Sequence, residues 1–212
     1  MKGVILDFDT IGPDELDTSI LLSLPISWQI YGNTSFNEVN ERIRYADVIL
    51  TNKVELSNKN IKQAVNLKLI GLFATGTNII DLEAASDKNI CVSNAVAYCT
   101  DSVVQHVWAL ILALTTRIFD YSQAATDGRW ERSNSFCVMD YSVTELAGKT
   151  LGVVGAGELG RAVASVGLAF GMNVKYALFP ERHSFLHDNR LEFKALLEPV
   201  SYTHLRAHET VG

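Results

Sequence analysis

Three glycines at a fixed spacing constrain this chain more than anything else in it. Leu151 to Val154 is a short apolar run with two β-branched members, and it ends at Gly155-Ala156-Gly157-Glu158-Leu159-Gly160. A run of that length and composition reads as a buried parallel strand. Gly155, Gly157 and Gly160 then have the G-x-G-x-x-G spacing. The first permits a tight turn, the second lets backbone approach a pyrophosphate, and the third lets a helix pack on the strand. Glu158 to Phe170 presents Leu159, Val163, Val166 and Phe170 at helical intervals. Gly171 stops that helix, and Asn173 to Leu178 is apolar enough to be the next strand. Strand, glycine turn, helix and strand form the context in which exposed amides and a helix N-terminus bind an anion. The plainer alternative is a glycine-rich turn that binds nothing.

One part of the dinucleotide fingerprint is missing. An acidic residue that takes the ribose hydroxyls is expected at the end of the second strand, about 20 residues on. Leu178 occupies that place, and Glu181 and Arg182 follow. These two read either as solvated loop charges or as a displaced ribose contact and a 2′-phosphate contact. The choice between NAD and NADP is therefore open.

At 212 residues the chain has room for one large domain or two small ones. A hydrophobic content of 48% with 20% charged residues describes an ordinary globular chain. The net charge of −6 argues against a nucleic-acid partner, whose phosphates require clustered Lys and Arg. Cys91, Cys99 and Cys137 are odd in number and widely spaced, so they read as reduced thiols rather than as disulfides or zinc ligands. Asp7 and Asp9 stand where a signal peptide would have its apolar stretch, and no run approaches the ~18 apolar residues of a membrane span. A cytoplasmic protein without a membrane partner is expected.

Before the glycine motif, strands and helices alternate. Apolar runs predict strands over Gly3–Phe8, Ser27–Tyr31, Asp47–Thr51, Lys68–Ala74 and Ile90–Ser93. Pro13 opens a helix through Leu22, Ser35 caps another with Glu38 completing a capping box, and further helices run over Ser57–Ala64 and Asp81–Asp87. This alternation implies a doubly wound parallel sheet. Ligands in such sheets sit beyond the carboxyl ends of the strands. Thr51-Asn52-Lys53 and Ala74-Thr75-Gly76-Thr77-Asn78 fall there. Small residues in the second stretch expose amides that suit a carboxylate or phosphate, although a plain βα turn has the same composition. Lys53 alone reads as a solvated charge rather than as a substrate ligand.

From Asp101 the pattern changes. Val103, Val104, Val107, Leu110, Ile111 and Leu114 make a broad apolar helix face, which predicts burial between domains or subunits. His106 and Trp108 on it read as packing residues rather than catalytic ones. Phe119 to Gly128 predicts another helix. Arg129 to Val143 has no period and carries Trp130, Phe136 and Tyr141, as expected of an arm that covers a partner subunit.

Taken together, these motifs resemble the D-isomer-specific 2-hydroxyacid dehydrogenases, and within them the glycerate dehydrogenase or hydroxypyruvate reductase group. The stretches that carry the resemblance are IGLFATGTNIID (70–81), VSNAVAYCTDSVVQHVWALILAL (92–114), GRWERSNSFCVMD (128–140) and LAGKTLGVVGAGELGRAVASVGLAFGMN (146–173), in family order. The resemblance covers residues 1 to about 178. It implies an α/β chain with an incomplete flavodoxin-like substrate domain over 1–100 and the first part of a Rossmann dinucleotide-binding domain over 101–198. It implies that Thr75, Gly76 and Thr77 lie against a substrate carboxylate with Asn52 and Lys53 nearby. It also implies that Thr100 and Val104 border the nicotinamide and that Gly155, Ala156, Gly157, Glu158, Leu159 and Gly160 hold the pyrophosphate. A homodimer joined through the cofactor domain follows from the same resemblance. Gln105, where the family commonly has Glu before the His, departs from the pattern, as does Leu178.

The family's chemistry uses an Arg on the substrate carboxylate and carbonyl, and a His tuned by a carboxylate to exchange the hydroxyl proton. Those residues come from the later half of the cofactor domain, and no motif here matches them, so no catalytic residue is assigned. Residues 199–212, which include PVSYTHLRAHET, look foreign and resemble a translated adaptor sequence. The His204/His208 and His183/His187 pairs have helical spacing, but no third ligand motif accompanies either, so no metal is expected. The sequence thus predicts an oxidoreductase interconverting a small 2-oxo acid and a D-2-hydroxy acid with NAD or NADP, the present chain being inactive alone. The alternative is a nucleotide-binding regulator or dimerisation partner of the same fold that does not turn over.

Overall fold

The computed structural model describes residues 1–178 and 191–197 and, for residues 202–206, the backbone. The chain divides into two compact units, one over Met1–Tyr98 and one that begins at Cys99.

In the first unit, β1 (Lys2–Ile5), β2 (Ser27–Ile30), β3 (Val48–Thr51), β4 (Leu69–Leu72) and β5 (Cys91–Ser93) form one sheet in the order β2-β1-β3-β4-β5. Every pairing is parallel, with Ile5 opposite Leu50 and Ile49 opposite Ile70. Such an order needs a crossover after each strand, and four short helices supply it: α1 (Ser19–Leu22), α2 (Val39–Ile43), α3 (Asn58–Gln63) and α4 (Leu82–Asp87). It is the flavodoxin-like order, with the expected strands each shortened by a residue or more. The core gathers Leu6, Ile43, Ile49, Leu56, Ile61 and Ile70, all fully enclosed.

Local chemistry explains where the helices start. Ser57 caps α3 by exchanging bonds with Asn60, and the Asp81 carboxylate accepts the Ala84 N–H at the head of α4. Two expectations are corrected. The helix expected from Pro13 to Leu22 is broken into turns over Phe8–Ile11 and Pro13–Glu15 and a separate α1. Gly12 in the left-handed region divides the two turns, and the Asp17 carboxylate takes the Ser19 N–H to begin α1 afresh. Ser35 does bond Glu38, through N–H at 2.9 Å and hydroxyl at 2.6 Å, but this closes a turn ahead of the helix, and α2 starts only at Val39.

The second unit opens with α5 (Thr100–Thr116) and α6 (Ile118–Thr126), which bend by 62° about Arg117, a non-glycine residue in the left-handed region. No single described helix is long and apolar enough to cross a membrane. After a segment without regular structure come β6 (Thr150–Val154), α7 (Glu158–Ala169), β7 (Asn173–Ala177), α8 (Phe193–Leu197) and β8 (Tyr202–Arg206). The strand order is β7-β6-β8, all parallel, so β6 is central. One edge of β6 pairs with Tyr202–Arg206, with a register irregularity between Leu151 and Val153.

The core of this unit joins Trp108, Leu146, Leu151, Val153, Val163, Ala164 and Met172. Trp108 is buried, donates its Nε1–H to the Val163 carbonyl at 3.1 Å and stacks on Phe170 with ring centroids 5.1 Å apart. It is a packing residue, as the sequence suggested. His106 is not; it is exposed, because α5 buries one side only. Leu110 and Leu114 on the other side are exposed in the single chain. The buried face of α7 is Gly160, Val163, Ala164 and Gly167, a narrower stripe than the Leu159–Phe170 series.

Candidate functional site

In the first unit, adjacency of β1, β3 and β4 brings together the loops that follow them. Asp7, just past β1, is 1% exposed, and its carboxylate accepts the backbone N–H groups of Asn52 (2.9 and 3.1 Å), Lys53 (2.6 Å) and Val54 (3.3 Å). A buried carboxylate is costly unless hydrogen-bonded, and this one is satisfied by the turn after β3. The Asn52 side chain is committed as well, donating Nδ2–H to the Thr10 hydroxyl at 3.0 Å and carbonyl at 3.3 Å. Of this stretch, the exposed Lys53 ammonium has no ion-pair or hydrogen-bond partner among the described residues.

The loop after β4 is arranged differently. The Thr75 hydroxyl donates to the Ala95 carbonyl at 2.8 Å and Asn94 Nδ2–H to the Thr75 carbonyl at 2.7 Å, fixing the loop on the segment after β5. The backbone N–H groups of Gly76, Thr77 and Asn78 have no acceptor among the described residues. Consecutive free amides in a loop make a concavity suited to an oxyanion. A Cβ on Gly76 would lie 2.9 Å from Asn78 Oδ1, so a side chain there would crowd that concavity. The two loops are laced by a parallel bridge between Leu56 and Ile80, with Leu56 N–H donating to Ile79 and Asp81 N–H to Leu56. Asn52, Lys53, Thr75, Gly76 and Thr77 thus belong to neighbouring loops at one end of the sheet.

In the second unit, Gly155 turns the chain out of β6 with φ of +94°, and its N–H donates to the Ala177 carbonyl at 3.0 Å. Gly157 caps α7, and Arg161 N–H makes the first bond of that helix to the Gly157 carbonyl. The N–H groups of Glu158, Leu159 and Gly160 therefore lack acceptors within the helix. A Cβ on Gly160 would stand 2.2 Å from the Gly155 carbonyl oxygen, so helix and turn approach as closely as they do only because that residue is glycine. Thr100, first residue of α5, donates its hydroxyl to Glu158 Oε1. Val104, one turn further on, packs half-buried against the Trp108 cluster. Leu178, at the place of the missing acid, is buried and joined through its N–H to the Leu191 carbonyl at 2.9 Å. Glu181, Arg182, His183, His187 and His208 lie outside the described residues, as does the His204 side chain.

Four residues of these loops carry no role in the sequence reading: Asp7, Thr10, Asn94 and Arg161. Asp7 had a signal, since an acid at the end of an apolar strand is either a solvated terminus or a buried acceptor for a neighbouring loop. Arg161 folds back to donate Nη1–H to the Ala156 carbonyl inside the glycine turn, a contact that spacing does not reveal. Among the described residues no group of His, Cys, Asp and Glu is arranged to hold a metal.

The segment after α6 folds back on that helix. Tyr121 donates its hydroxyl to the Tyr141 carbonyl at 2.7 Å, and Arg129 bonds both Asp127 and the Tyr141 hydroxyl. Hydrogen bonds from Arg129 hold the Asp127 carboxyl below the usual range, and those with Asp127 and Tyr141 raise the guanidinium. Trp130, Phe136 and Met139 nevertheless remain exposed, Phe136 at 95%.

A flavodoxin-order sheet with an amide-lined loop, together with a glycine-turn βαβ unit, defines an α/β protein of the dinucleotide-binding type. The family model for the D-isomer specific 2-hydroxyacid dehydrogenase catalytic domain matches residues 21–205. The chain belongs to that family. It is 34% identical over 177 residues to a hydroxypyruvate reductase of Blautia hydrogenotrophica, with 82% of this chain and 55% of the relative covered. It is 35% identical over 183 residues to a glycerate dehydrogenase of Methylorubrum extorquens, with 85% and 57% covered. The crystal structure of a D-lactate dehydrogenase from Aquifex aeolicus, complexed with NAD and lactic acid, superposes with a TM-score of 0.64 at 26% identity, over 97% of this chain and 56% of the other. The chain spans about half the length of the curated relatives it matches.

Proposed function

We propose that this chain is the dinucleotide- and substrate-binding part of an NAD- or NADP-linked oxidoreductase for a small 2-oxo acid and its D-2-hydroxy counterpart, with hydroxypyruvate and D-glycerate as the pair. The observation that carries this reading is the pairing, in one chain, of free amides at Gly76–Asn78 with the glycine turn that opens α7. Amides after β4, with the Lys53 ammonium on the neighbouring loop, suit a substrate carboxylate; the first-turn amides of α7 suit a diphosphate. The names of the two relatives support the choice of substrate, and the NAD of the solved relative supports the choice of cofactor class. Bound nicotinamide would supply the hydride acceptor or donor. This chain's own residues would bind and orient, because no Arg–carboxylate–His set stands among the described candidates. Leu178 offers no ribose acid, so NADH and NADPH are both admitted.

The exposed outer side of α5, with Ile118, Phe119, Phe136 and Met139 following it, supports a homodimer formed through the second unit. The test is a fluorescence titration of the chain with NADH and with NADPH, followed by addition of hydroxypyruvate. Dinucleotide binding without turnover is the expected result. Absence of binding would remove the cofactor reading, and steady oxidation of NADH would remove the reading that this chain only binds.

A further inference from the structure

Glu158 is the residue that neither its neighbours nor the proposed function explains. It is the first residue of α7, and Thr100, whose hydroxyl it accepts, is the first residue of α5. The hydrogen bond therefore joins the N-terminal ends of two helices, of 17 and 12 residues. Each such end carries partial positive charge and unsatisfied N–H groups, and each favours an anion. The anion found where they meet is the chain's own carboxylate. Glu158 has no cationic partner among the described residues: the nearest base on α7, Arg161, is turned away to the Ala156 carbonyl, and no ion pair reaches Glu158. The first turn of α5 adds a second acid, Asp101.

We infer that Glu158 is an internal anion that competes with the dinucleotide diphosphate for the N-terminal end of α7 and so holds cofactor affinity down. This rests on the dinucleotide reading of the glycine turn. The backbone N–H of Glu158 and its two successors attract the diphosphate, while the side chain of the same residue repels it. Thr100 acts as a positioning residue, because its hydroxyl fixes the carboxylate to the α5 side of the turn. The consequence is a loop whose glycine spacing is intact and whose affinity is set by one acid beside it.

The test compares NADH titrations of the full chain and of Glu158→Gln, which keeps an oxygen to accept the Thr100 hydroxyl and loses the charge. Removing a like charge at a separation of several ångströms in partly solvated surroundings predicts about three- to tenfold tighter binding of NADH. The gap should close in high salt, since screening acts on the charge and not on the shape of the loop. Equal or weaker binding by Glu158→Gln overturns the inference and leaves the cofactor reading standing. Failure of both proteins to bind NADH overturns both. Where Glu158→Gln does not keep the helical signal of the parent, Glu158→Ala is measured against the same criterion.

Discussion

The two units solve the same problem with unequal means. A parallel sheet must be covered, because its strands are apolar on both faces. The first unit manages this within 98 residues: its five strands are joined by their own helices, and Ile5, Leu6, Ile43, Ile49, Leu56, Ile61 and Ile70 are shut off from water. Its exposed apolar residues include Leu16, Ile20, Leu22 and Leu24 around the short α1, with Phe36 on a separate segment. The second unit has three strands in its described sheet, and its core packs one large aromatic, Trp108, with Leu146, Leu151, Val153, Val163, Ala164 and Met172. Leu114, Ile118, Phe119, Phe136 and Met139 are left exposed within a single stretch of chain. The first core should tolerate the loss of one medium-sized residue better than the second tolerates the loss of its one large aromatic.

That contrast can be broken by matched deletions. Trp108→Ala should cost about 3–5 kcal/mol, as large aromatic truncations do, and unfold the second unit while Trp28 fluorescence in the first stays native. Ile49→Ala should fall toward the lower end of about 2–5 kcal/mol and leave the first unit folded. Equal losses, read from urea unfolding, would mean that the two cores are equally redundant. A smaller effect is expected from Asp7→Ala, which leaves the Asn52 and Lys53 amides without their acceptor, while the Val54 N–H keeps the Thr51 hydroxyl. About 2–3 kcal/mol should be lost from the first unit, with Asp7→Asn recovering part of it, and faster amide exchange at Asn52 and Lys53 is the direct measure.

Acid should separate the units further. Asp47 is held below the usual carboxylate range first by the Lys2 N–H, Glu38 by the Ser35 hydroxyl and Asp17 by its hydrogen bonds to Ser19, all in the first unit. In the second unit Asp127 is lowered by Arg129. A carboxyl whose folded pKa is depressed stabilises above its unfolded value and loses that contribution as pH falls through the folded one. Below about pH 4 the first unit should therefore lose more stability than the second, and Asp47→Asn should flatten its dependence, followed by urea midpoints against pH. The smallest effect on folding belongs to Leu114→Asp. An exposed substitution should change unit stability by no more than about 0.5 kcal/mol, yet sedimentation should show self-association lost.

Much of this was readable in the residues. Period-two and apolar runs located all five strands of the first unit, and the glycine spacing located the β6–α7 turn. Those signals are local, and local signals survive without knowledge of the fold. The Pro13 helix was misread because a left-handed Gly12 and the Asp17 carboxylate act against a favourable start signal. Thr10 and Asn94 were invisible for a different reason, and the signal at Asp7 did not name its partners. The partners of Asp7 and Thr10 lie 42 to 47 residues away and that of Asn94 lies 19 away, and nothing in linear spacing marks a carboxylate that will meet the amides of another loop.

The Leu56–Ile80 bridge bears on how such a chain can change over time. The loops after β3 and β4 hang from adjacent strands at one end and are tied to each other at the other, so each forms part of a closed ring of fixed size. Adding or removing a residue in one loop would shift the bridge against its partner unless the second loop changed as well. Point substitutions at Lys53 or Thr77 leave the ring intact. Variation in ligand preference at this end of the sheet is thereby channelled into exchange of side chains, and insertions are directed to loops outside the ring.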